Sequence, residues 1–186
     1  MVMRIDKKYS HVQDIRNIDW KKINNIKIYS ILNHKQTNHK YDKDKPYSHH
    51  LKMVYGFGLK YNYLLDDDEL FLALSACWSH DLIEDCRVNY NDLKSMFGEE
   101  IAEIVYSLTN EKGRNRKERA NRKYYQGIME NNISTFVKVC DRLANMTYSK
   151  DSGSTMYNKY KKENNEFIDL LFKYRFYDMF VELKRL

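Results

Sequence analysis

The chain has 186 residues, a net charge of +6, 42% hydrophobic and 31% charged residues, six glycines and a single proline. That length suits one domain with its own core, taken as residues 1–186, and the scarcity of breakers weighs against a turn-rich β fold and for an all-α one. No 18-residue apolar stretch suggests a membrane span, and Met1 to Lys8 lacks the apolar centre of a signal peptide. Cys77, Cys86 and Cys140 are odd in number and share no short spacing, so they read as reduced thiols of a cytoplasmic protein. The positive balance fits either an anionic partner or a lysine-rich solvated surface.

In chain order, Ile23, Ile26, Ile28, Ile31 and Leu32 mark a first helix over Ile18 to Leu32, and a polar loop follows from His34 to Lys45. Pro46 pre-sets the start of a second helix, where Tyr47, His50, Leu51, Val54 and Phe57 recur at helical spacing. Asp66 and Glu69 stand in capping-box spacing, and the helix from Glu69 to Asp81 is apolar nearly all round, which predicts a central position. Asn89 caps a short helix that Gly98 stops. Ile101, Ile104, Val105 and Leu108 line one face of the next. A basic stretch, Lys112 to Lys123, leads into Tyr124, Tyr125, Ile128 and Met129. Ile133, Phe136, Val137 and Cys140 form a further stripe, and a last helix begins near Thr155 with Tyr157, Tyr160, Phe167, Leu170 and Leu171. No segment alternates convincingly with period two, so the expected class is a compact all-α bundle.

His80-Asp81 follows the apolar run Leu70–Trp78, and Glu84-Asp85 stands just behind it. If the helix continues past Asp81, Glu84 shares a face with His80 and Asp85 with Asp81. Metal-assisted hydrolysis needs this kind of set: ligands for an ion and an acid or base near its water. His50 lies in an apolar helical pattern, and Asp141 interrupts the run from Phe136 to Ala144, a costly place for an unpaired carboxylate. Asn145 falls one turn after Asp141. A shell of His50, His80, Asp81 and Asp141 mixes nitrogen and oxygen donors, which suits manganese or iron, leaves zinc open, and disfavours a structural zinc.

These residues sit in Tyr47-Ser48-His49-His50, His80-Asp81-Leu82-Ile83-Glu84-Asp85, Phe97-Gly98-Glu99-Glu100, Leu108-Thr109-Asn110-Glu111 and Asp141-Arg142-Leu143-Ala144-Asn145-Met146. In that order they resemble the HD-domain phosphohydrolases, and more narrowly the Rel/Spo-type guanosine-polyphosphate hydrolases and their single-domain relatives, the small alarmone hydrolases. The resemblance runs from about His34 to Tyr160. It implies a helical HD bundle in which His50, His80, Asp81 and Asp141 hold a divalent metal, usually manganese. The Tyr-x-x-His-x-x-x-Val spacing selects His50 over His49. Glu84 and Asp85 would position or deprotonate the attacking water. The implied reaction releases pyrophosphate from the ribose 3′ position of guanosine tetra- or pentaphosphate. Substrate contacts would come from Lys40, Tyr41, Lys112, Asn145 and Tyr160, with Arg114 and Arg116 in the same basic loop as Lys112. The implied partners are the phosphorylated guanosine nucleotide and, for an antitoxin, a toxin alarmone synthetase; neither membrane nor DNA is expected.

The chain departs from that pattern in places. The family commonly carries an arginine-lysine pair a few residues before Pro-Tyr; here that stretch, His39 to Tyr47, has lysine but no arginine, and His39 or Tyr41 could stack on a base instead. Ser79, Cys86 and Thr147-Tyr148 replace residues usual beside the motifs. The alternatives are an HD phosphohydrolase acting on an adenosine alarmone, a tRNA-end pyrophosphate, a nucleoside monophosphate or NADPH, and a non-catalytic basic module that binds nucleic acid or a partner.

Overall fold

Helix α1 (Trp20–Gln36) opens where Asp19 accepts the Lys22 backbone N–H at 2.8 Å. The computed structural model describes residues 16–186 except the side chains of Arg116 and Lys117, so the readings of Met1–Lys8 and of the Arg116 side chain lie outside the described residues. The helix buries Ile23 and Ile26, whereas Ile28 and Leu32, expected in the core, are about half exposed. It runs past Leu32, which puts His34 in its last turn rather than in a loop.

The rest of the expected loop is a short hairpin, β1 (Lys40–Asp42) antiparallel to β2 (Lys45–Pro46), with Lys40 opposite Pro46. Strands this short carry no readable alternation. Pro46 therefore ends a strand, where it needs no ladder donor, and α2 (Ser48–Lys60) begins two residues later.

Helix α3 (Asp67–Ser79) starts with the anticipated capping box: Glu69 N–H donates to Asp66 Oδ1 at 2.9 Å, and Asp66 N–H donates to Glu69 Oε2 at 3.2 Å. It does not continue through Asp81. Asp81 leaves helical geometry (φ −99°, ψ 4°), and a single turn, α4 (Leu82–Asp85), follows. Helices α5 (Tyr90–Phe97) and α6 (Glu99–Leu108) meet at Gly98, whose φ of +100° is glycine's territory. After them come α7 (Arg116–Arg119), α8 (Arg122–Glu130), α9 (Asn132–Asp151) and α10 (Met156–Leu171). Helix α10 is not the last: α11 (Tyr177–Arg185) buries Met179, Phe180 and Leu183.

Helices α2, α3 and α9 pack on one another and form the centre. Leu51 and Val54 of α2 meet Leu70 and Leu74 of α3 and Phe136, Val137 and Leu143 of α9 in the apolar cluster, all fully buried. The α2–α3 approach depends on Gly58, where a Cβ would stand 3.1 Å from Leu74 Cδ2 and 3.2 Å from Cys77 Sγ. Among the described residues no helix is long and apolar enough to cross a membrane. Among the described residues the class is all-α, with one minor hairpin.

Candidate metal centre

Each of the three central helices delivers one part of a single cluster. The apolar face of α2 turns His50 inward, where its side chain is 2% exposed and the Tyr41 ring stacks on it at 4.9 Å. His80 closes α3 with its side chain 3% exposed. Its Nδ1 lies 3.2 Å from the Cys77 carbonyl oxygen, which can accept its proton and so aims Nε2 at the carboxylates. Asp141 projects from the middle of α9.

The break after α3 swings Asp81 into the gap between these groups. Its Oδ2 stands 2.9 Å from His80 Nε2 and 3.7 Å from His50 Nε2, and it accepts the Tyr47 hydroxyl. Asp141 Oδ1 is 3.2 Å from His50 Nε2 and 4.0 Å from His80 Nε2. Donor atoms of His50, His80 and Asp141 all lie within 4.8 Å of one another. His80 Nε2, fully buried and flanked by two carboxylates, still makes no aligned hydrogen bond. A buried polar atom left in this state is costly, and a cation among two imidazoles and two carboxylates would satisfy it. The group could hold a metal.

The charges are set by neighbours rather than by burial. Burial would pull the His80 imidazole down, but Asp81 and Asp141 together push it up to about 9. Burial would raise Asp81, but His80 beside it holds the carboxyl below its usual range. Asp141 is likewise held well down against burial, by Lys138 and then His50. Lys138 Nζ lies 3.1 Å from Asp141 Oδ2, and Tyr124 and Asp141 keep it charged although it is buried. Asp85 goes the other way: burial, then the charges of Asp81 and Glu84, raise it to about 7.

A cavity of about 230 Å³ opens on this cluster. Glu84 and Asp85 line it together, brought there by the α4 turn and not by a continuous helix. Glu84 is fixed by Asn110, whose Nδ2 donates to both carboxylate oxygens at 2.8 and 2.9 Å. Asn145 also lines the cavity, donating to Asp141 Oδ1 at 2.6 Å while its Oδ1 accepts the Tyr41 hydroxyl at 3.0 Å. Tyr160 lines it beside Arg142, whose guanidinium sits 5.0 Å from the ring. Lys40 and Lys112 are exposed and do not line the cavity, and Tyr41 backs His50 from the hairpin side. The cationic lining comes instead from Lys138, Arg142 and Arg119. The sequence reading assigned no role to Lys138, nor to Asn110 within the motif Leu108-Thr109-Asn110-Glu111. The trace that could have found Lys138 is a lysine inside an apolar stripe, three residues before Asp141.

No protein-family model matches the chain. Guanosine-3′,5′-bis(diphosphate) 3′-pyrophosphohydrolase MESH1 of Drosophila melanogaster is 24% identical over 118 residues, and the match covers 63% of this chain and 64% of that protein, somewhat less than two thirds of either. A solved structure of a metazoan ortholog of SpoT, described as hydrolyzing ppGpp with a role in starvation responses, aligns with a TM-score of 0.70 at 20% identity. That alignment covers 88% of this chain and 92% of the other, so the two share a fold.

Proposed function

We propose that the chain is an HD-type, divalent-metal-dependent hydrolase that removes pyrophosphate from the 3′ position of guanosine tetra- or pentaphosphate. The observation that carries this reading is the convergence of His50, His80, Asp81 and Asp141 around a nitrogen with no hydrogen bond, beside two further carboxylates in a cation-lined cavity. The activity named for the similar fly protein supports the choice of substrate.

In this reading those four side chains hold the ion, manganese by preference because the shell mixes nitrogen and oxygen. When bound, the ion supplies an acidified water and neutralises phosphoryl charge. Asp85, poised near 7, receives the proton of the attacking water, and Glu84, clamped by Asn110, orients that water. Lys138, Arg142 and Arg119 face the phosphates. Asn145 and Tyr41 steady Asp141 and His50, Tyr160 closes the nucleoside side, and Lys40 and Lys112 meet substrate only at the solvent edge. Residues 1–186 act as one HD domain in the cytoplasm, and an alarmone synthetase is the partner to look for.

The test is direct. Manganese-loaded protein given ppGpp should release GDP and pyrophosphate in equal amounts. Release of single phosphates, or turnover of an adenosine counterpart with none of ppGpp, would overturn the assignment. The adenosine counterpart belongs in the panel because the stretch from His39 to Tyr47 lacks the arginine that the resembling family carries before its Pro-Tyr.

A further inference from the structure

A second donor set lies on the other side of Tyr47. His34, in the last turn of α1, is 1% exposed, and His39 precedes β1. Both rings stack on Tyr47, at 4.4 and 4.0 Å. Their Nδ1 atoms face each other at 3.2 Å, and His39 Nδ1 lies 3.5 Å from Asp85 Oδ2. The donor atoms of His34, His39 and Asp85 all fall within 4.8 Å of one another.

Either a proton or a cation can bridge the two facing Nδ1 atoms. If His39 Nδ1–H donates to His34 Nδ1, the His34 proton sits on Nε2, which is buried without a partner. If His34 donates instead, His39 turns a lone pair toward the Asp85 carboxylate. A cation between the three atoms takes the Nδ1 lone pairs of both rings and the Asp85 carboxylate at once, and leaves the same His34 Nε2–H unmatched as the first placement does. The spacing also fits. Ligands on a tetrahedral zinc, at bonds of about 2.0–2.1 Å, stand roughly 3.3 Å apart.

We propose that His34 Nδ1, His39 Nδ1 and Asp85 form a second metal site of the zinc class, separate from the centre built by His50, His80, Asp81 and Asp141. Two imidazoles and one carboxylate make a set richer in nitrogen than that centre's, which sorts zinc-like ions toward it and manganese away. The His39 and Asp85 side chains are 31% and 27% exposed, so an ion has a path in and a fourth position stays open to water. An ion there occupies the Asp85 lone pair that would take a proton from water, so the site acts as a brake. That consequence rests on the function proposed above; the existence of the site does not.

The experiment is metal counting on the full chain with Co²⁺ after dialysis. Wild-type protein should hold two equivalents and His39→Gln one. Asp141→Asn should retain the equivalent that depends on His39, with the intense visible absorption of four-coordinate Co²⁺. His39 is partly exposed, so its variant does not depend on replacing a buried histidine. One equivalent in the wild type, two in His39→Gln, or only the faint bands of six-coordinate Co²⁺ for the His39-dependent ion would each overturn the site. Zn²⁺ added to manganese-loaded protein should suppress wild-type turnover and leave His39→Gln at that variant's own manganese-supported rate, whatever that rate is; equal fractional suppression would refute the brake. If ppGpp is not a substrate, the metal count still decides the site.

Discussion

Asp81 and Asp85 are one helical turn apart and sit at opposite ends of the carboxylate range. Asp81 faces His80 at 2.9 Å and is held ionised, while Asp85 is partly buried among other carboxylates and rises to about 7. The contrast divides labour, a permanent anion for holding charge and a titrating one for moving a proton. In metal-free protein the sign is as follows. The folded chain binds the Asp85 proton more tightly than the unfolded chain, so this carboxyl favours folding at low pH and loses that contribution as pH rises through about 7. Asp85→Asn should therefore raise the melting temperature above pH 7 and leave it unchanged at pH 4. The same variant should lower turnover by about 10²–10⁴-fold and abolish the rise of kcat/KM through pH 7. A wild-type pH profile kept by the variant would refute the assignment. His50, His80, Asp81 and Asp141 were legible because buried imidazole and carboxylate interrupt apolar runs. Lys40 and Lys112 entered the expected site through the family resemblance and their charge, and neither lines the cavity.

Elements with local punctuation were readable. Asp66 and Asn89 build real capping boxes, and Gly98 turns the chain between two helices. The break at Asp81 has no such mark: neither glycine nor proline is present, and the chain bends where Tyr47 and the two histidines hold the Asp81 carboxylate. Tertiary contact overrode local propensity there. Helix α11 was missed because Met179, Phe180 and Leu183 supply barely two turns of pattern, too few to stand out. Its role is nonetheless central, since it packs on α9, and Asn164 Nδ2 ties α10 to the Leu183 carbonyl at 2.9 Å. Phe180→Ala should cost about 3–5 kcal/mol in urea denaturation with an unchanged slope. A loss below 1 kcal/mol would mean that α11 is not part of the cooperative core.

Across the whole molecule, the core and the site are one construction. The helices that exclude water from Leu51, Leu74 and Phe136 are those that aim His50, His80 and Asp141 at a common point. The sequence pattern therefore made the fold class readable, while the cavity wall escaped it, because Arg119, Asn110 and Lys138 meet only through long-range packing. The net charge of +6, vague on its own, acquires a direction from the cationic lining. Raising ionic strength from about 0.05 to 0.5 M should lower kcat/KM for a polyphosphate substrate while leaving kcat nearly unchanged, since screening weakens capture and not chemistry. A kcat that falls in step would argue that salt disturbs the site itself.

The buried pairing of Asp81 and Asp141 with His80 and Lys138 has one more consequence, best seen as a balance of ions. His80 and Lys138 already match the charges of Asp81 and Asp141 before any metal arrives. Uptake of a divalent ion is then an exchange in which the His80 proton must leave, because that imidazole is charged up to about pH 9. Affinity should climb about tenfold for each pH unit below that point and level off above it. An indicator dye in weakly buffered solution should record one proton released per ion bound, which makes the centre's resting state a placeholder whose charge is already arranged for the guest.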